Sequence, residues 1–151
     1  MTPALVIGVG NPYRRDDGVG IAVIERLREV GVPSLDLVEE SGEPVALVQR
    51  WSGRDTVVLV DAVESGAPAG TLHRFECVGG EWDVAPPAAA VSTHGIGVAE
   101  AVALGDALEC LPRHLVLYGI EVGDVGNGVG LSPEVAAALD TLVDDLVEAA
   151  R

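Results

Sequence analysis

The run TVVLVDA at 56–62 constrains this chain more than any other stretch. Val57, Val58, Leu59 and Val60 put apolar side chains on both faces of an extended segment, and β-branched residues favour that conformation. A strand that is apolar on both sides has to be covered on both sides, which is the position of a central strand in a parallel sheet. ALVIG at 4–8 has the same character, and HLVLYGIE at 114–121 reads as a third strand. LDLVE at 35–39 alternates like a half-exposed strand, and TLHRF at 71–75 like an edge strand. Between these runs the spacing turns helical, over about 17–30 with Gly31 and Pro33 as stop signals, over 44–51 and near 95–108. A last helix opens with Ser132 at the N-cap, Pro133 at its first position and Glu134 in its first turn.

Strands alternating with helices predict one α/β domain over residues 1–151. The expected form is a three-layer αβα sandwich with a mainly parallel, twisted sheet and right-handed crossovers. Sites in such sheets lie beyond the carboxyl ends of the strands. The core has to be aliphatic, because 48% of the residues are apolar but only 3% are aromatic. Nine basic residues against 24 acidic ones give a net charge of −15, which argues against nucleic acid and anionic membranes as partners. No export signal and no apolar run approaching the roughly 20 residues of a membrane span is seen, so a cytoplasmic protein is expected. Cys77 and Cys110 show neither a CxxC nor a disulfide-scaffold spacing, and are expected to be reduced thiols.

The first strand runs into GVGNPYRRDDGVG at 8–20, which begins like a phosphate-binding loop. Set against G-x-G-x-x-G, however, Tyr13 stands where the third glycine belongs, so the following helix is not expected to approach the strand in the usual way. Asp16 and Asp17 would also repel a pyrophosphate at that helix start. One of them is explained as a helix cap; the other has to point elsewhere, toward the crevice beyond the first strand. Asp61 ends the central strand on the same predicted edge, and His94 lies in STHG after the long loop VGGEWDVAPPAAAV at 78–91. Two carboxylates and an imidazole make an O,O,N donor set for a divalent transition metal, nickel or zinc, with positions left open for water or substrate. Asp16 would then be a cap or a support for that site. His73 and His114, both on predicted strands, are expected at the surface.

These residues carry a family resemblance over nearly the whole chain. Gly8, Gly10, Asn11, Asp16, Asp17, Gly18 and Gly20 fit G-x-G-N-x-x-x-x-D-D-G-x-G. Asp61 is followed by the G-x-P-x-G-T turn at Gly66, Pro68, Gly70 and Thr71; then come S-T-H-G at Ser92–Gly95, and GIE and LSPEV at 119–121 and 131–135. In these motifs the chain resembles the hydrogenase maturation proteases, the endopeptidases that process the large subunit of nickel–iron hydrogenases. The resemblance implies a phosphorylase/hydrolase-like αβα fold. It also implies that Asp17, Asp61 and His94 are metal-binding and catalytic, with Asp16 beside them.

The implied partner is the [NiFe] hydrogenase large-subunit precursor, whose C-terminal extension is removed, and the implied metal is Ni2+ arriving with that precursor. The protein would act as a monomer. Many relatives carry a Gly-Gly-Thr type loop after the second strand; here EESGEPVAL keeps only Gly42, which bears on the choice of hydrogenase. The alternative reading is a non-catalytic metal-sensing or chaperone-like protein that docks on a metal-loaded partner.

Overall fold

The computed structural model describes residues 3–84, 91–92 and 97–150. In chain order the elements are β1 (Ala4–Val9), a 3₁₀ turn (Arg15–Gly18), α1 (Val19–Val30), β2 (Leu35–Glu40), α2 (Pro44–Trp51), β3 (Thr56–Glu64), β4 (Leu72–Val78), β5 (Glu81–Trp82), β6 (Val91–Ser92), α3 (Gly97–Ala107), β7 (His114–Glu121) and α4 (Pro133–Ala149). The sheet order is β2-β1-β3-β7-β4-β5, and β6 adds to the end of β3. The first four strands of that order are parallel, whereas β4, β5 and β6 pair antiparallel. The sheet is therefore mixed, with a parallel centre.

Alternation along the strands splits the core in two. Val6, Val58, Val60, Ala62, Val116 and Ile120 meet α1 and α4 on one face. Leu5, Ile7, Val9, Val57, Leu59 and Leu115 meet α2 and α3 on the other, around the fully buried Trp51. The expected three layers follow directly, and β3, bonded to parallel neighbours on both sides, is the central strand its sequence predicts.

Several details differ from the sequence reading. The stretch read as an edge strand runs further, to Val78, and has neighbours on both sides. The stretch read as one helix from 17 begins instead as a 3₁₀ turn. Neither aspartate caps α1, whose N-cap is Gly18 without a side-chain bond. Despite Tyr13, α1 does lie close against β1, because both contact points are glycines. A Cβ on Gly8 would come within 2.2 Å of the Gly20 carbonyl oxygen, and one on Gly20 within 2.3 Å of the Val9 oxygen. Both histidines are half-buried rather than on the surface: His73 meets Glu121, and His114 bonds Glu76.

Candidate active site

The loop after β1 folds back on itself. Arg14 N–H donates to the Asn11 carbonyl at 3.1 Å, and Asn11 N–H to the Asp17 carbonyl at 3.2 Å. Gly10 permits this closure, since a Cβ there would sit 2.4 Å from the Asp17 oxygen. Gly20, three residues beyond Asp17, packs on the Val9 and Val60 carbonyls, so the loop lies across the carboxyl end of β1 and against the middle of β3. Asp17 is fully buried there, with Arg14 Nη1 3.9 Å from its Oδ2. Asp61 does not end β3, which runs on to Glu64; it follows Val60, is 3% exposed, and accepts a bond at Oδ1 from the Ala62 N–H at 2.8 Å. The structure thus brings two buried carboxylates to one edge of the sheet.

Asp16 faces a different neighbour. Its Oδ2 accepts from the N–H groups of Gly123 and Asp124, each at 2.8 Å, and from the Ser132 hydroxyl; its Oδ1 accepts from Ser132 N–H at 2.7 Å. Burial pushes its carboxyl pKa up, but the Ser132 hydroxyl and the three N–H groups outweigh this and hold it below the usual value. Ser132 occupies the N-cap of α4 as expected, yet its hydroxyl goes to Asp16 instead of the helix. Asp16 therefore clamps the loop before α4 onto the loop after β1.

His94 lies outside the described residues. Its surroundings in the chain are partly fixed: Ser92 pairs with Val63 on β3, two residues past Asp61, and α3 starts at Gly97. Among the described residues no group of three or more His, Cys, Asp or Glu is placed to hold a metal ion; of the predicted set, only Asp17 and Asp61 fall within them. Two carboxylates withdrawn from water, one in the turn after β1 and one on β3, are donors of the kind a divalent cation takes, and they would fit nickel or zinc given an imidazole third ligand.

Glu121 closes the GIE motif, to which the sequence assigns no site role. It ends β7 as Asp61 lies toward the end of β3, and the same strand-end signal would have found it. It is 2% exposed. Its Oε2 accepts from Ser65 N–H at 2.8 Å, and its Oε1 from the Ser65 hydroxyl at 2.5 Å and from His73 Nε2 at 3.1 Å. Burial raises its pKa, but the Ser65 bonds and His73 more than offset this, leaving the carboxyl below its ordinary value.

The model of the HycI hydrogenase maturation protease family matches residues 21–149. The chain belongs to the hydrogenase maturation proteases. It is 31% identical over 150 residues to the hydrogenase expression/formation protein HupD of Thiocapsa roseopersicina, a match that covers 95% of this chain and 66% of that protein's length. It is 25% identical over 153 residues to the hydrogenase 2 maturation protease of Escherichia coli, covering 97% of this chain and 90% of that one.

Among solved structures, the E. coli hydrogenase maturating endopeptidase HybD superposes with a TM-score of 0.80 at 23% identity, covering 97% of this chain and 91% of the other, and so shares the fold. The HycI protease of Thermococcus kodakarensis gives a TM-score of 0.71 at 27% identity, with the same two coverages. No described helix of this family member is long and apolar enough to cross a membrane.

Proposed function

We propose that this protein is a nickel-checking endopeptidase that removes the C-terminal extension from the large-subunit precursor of a [NiFe] hydrogenase. Membership of the maturation protease family supports the reaction class. The observation that carries the metal reading is the burial of both Asp17, in the turn after β1, and Asp61, on β3. His94 completes the donor set in this reading, and the pairing of Ser92 with Val63 supports it by tying the chain just before His94 to the strand that bears Asp61.

The nickel comes with the substrate. Held jointly by precursor groups and by Asp17, Asp61 and His94, it registers the scissile bond against this edge and supplies Lewis-acid character there. An apo precursor lacks the link and is passed over. Asp16 acts indirectly, by fixing the loop that carries Asp17. The reaction belongs in the cytoplasm, and the protein works as a single copy.

The test mixes purified protein with nickel-loaded and nickel-free precursor and follows precursor mass. Cleavage of the loaded form alone supports the reading, whereas nickel-dependent binding with no change in mass makes the protein a chaperone. Asp17→Ala, Asp61→Ala and His94→Ala should each lower the cleavage rate by at least about a hundredfold. A variant that cuts at the wild-type rate removes its residue from the site.

A further inference from the structure

Asp61, Gly119 and His73 form one lateral row across β3, β7 and β4, since Asp61 pairs with Gly119 and Gly119 with His73. Paired residues on neighbouring strands project to the same face, and strands lie about 4.8 Å apart, so His73 stands on the order of 10 Å from Asp61. Gly119 adds no side chain of its own to the row, and the place of its Cβ is bounded by the Val63 methyl groups at 3.0 and 3.2 Å and by His73 Cβ at 3.6 Å. Glu121, two residues further along β7, projects to that same face and bonds His73 Nε2 at 3.1 Å. The carboxylate side chain is 3% exposed while the imidazole is 26% exposed, so the pair is anchored at one end and open at the other.

A neutral imidazole that donates Nε2–H to a buried carboxylate keeps Nδ1 as an acceptor, and the carboxylate stabilises the cation formed when Nδ1 takes a proton. Ser65 holds Glu121 in place with two further bonds.

We propose that His73, oriented by Glu121, is a proton-transferring catalytic residue of the cleavage site; this rests on the endopeptidase reading above. As the oxygen of water bonds to the scissile carbonyl carbon, Nδ1 takes one of that water's protons. As the C–N bond breaks, the same proton passes from Nδ1 to the departing nitrogen. A new carboxyl group and a new amine are left, with His73 neutral again.

His73→Gln tests this, because glutamine keeps an N–H donor for Glu121 but has no basic nitrogen to take up a proton. Its kcat on nickel-loaded precursor should fall about 10²–10⁴-fold, with KM and precursor binding unchanged. His73→Ala should lose a similar factor and recover part of it with added imidazole. A glutamine variant at wild-type rate, or an alanine variant that imidazole leaves unimproved, overturns the assignment. Wild-type protein assayed in parallel separates the two levels of the argument: if it does not cut, the endopeptidase reading falls and the role of His73 with it, whereas wild-type cutting beside a fully active glutamine variant removes His73 alone.

Discussion

Asp16 and Asp17 are adjacent and equally buried, but their carboxylates have different surroundings. Asp16 takes four bonds from residues 107 to 116 positions away in the chain. Asp16→Ala strands those donors and should cost about 3 kcal/mol at neutral pH, a drop of roughly 10 °C in Tm. The sign of its pH dependence follows from the lowered pKa. The stabilisation is fully present above the ordinary aspartate value of 3.8 and is lost as pH falls through the folded-state value. Urea unfolding of the two proteins should show the gap at pH 7 and its narrowing below about pH 4.

The sequence assigns one of the pair to a helix cap, but neither caps α1, and Asp16 is taken instead by a distant loop. Spacing alone does not reveal that residues 123–132 fold back onto residue 16. Glu121 was within reach of the strand-end rule applied to Asp61. His73 was not, because its partner is set by the register between β4 and β7.

At the level of elements, apolar runs and stop signals located the strands and helices well. The stretch 44–51 is helical over that whole span, where Glu43 caps it by accepting from Val45 and Ala46 N–H at 3.1 and 2.8 Å. What the glycine fingerprint missed was the contact between β1 and α1, because the close pair here is Gly8 with Gly20, outside the usual spacing. Gly8→Ala would drive a methyl group into the Gly20 carbonyl and Ile24, and should destabilise the protein by about 3 kcal/mol, read by thermal unfolding.

The direction of β4 was also legible in principle. Residues 65–71 are too short for the crossover that a parallel connection needs, so the chain has to turn back after β3. That β4 would leave a strand's width beside β3 could not be read from the local sequence.

Over the whole molecule, the net charge of −15 sets a background of self-repulsion. Exposed pairs such as Arg26 with Asp140 and Arg26 with Glu29 offset little of it. Raising NaCl from about 20 to about 200 mM should therefore raise Tm by roughly 2–5 °C, since screening relieves more repulsion than it costs in surface pairs. A Tm that falls with salt would show that the arginine pairs dominate.

The strand's width beside β3 is the last gap in the sheet to close. It is filled by β7, which is translated some forty residues after β4 is complete. Until the ribosome reaches that point, β3 and β4 each present an unsatisfied backbone edge to the cell, open to pairing with any extended segment nearby. Nascent chains stalled before residue 114 should thus be bound by chaperones or aggregate, and those released after residue 150 should not.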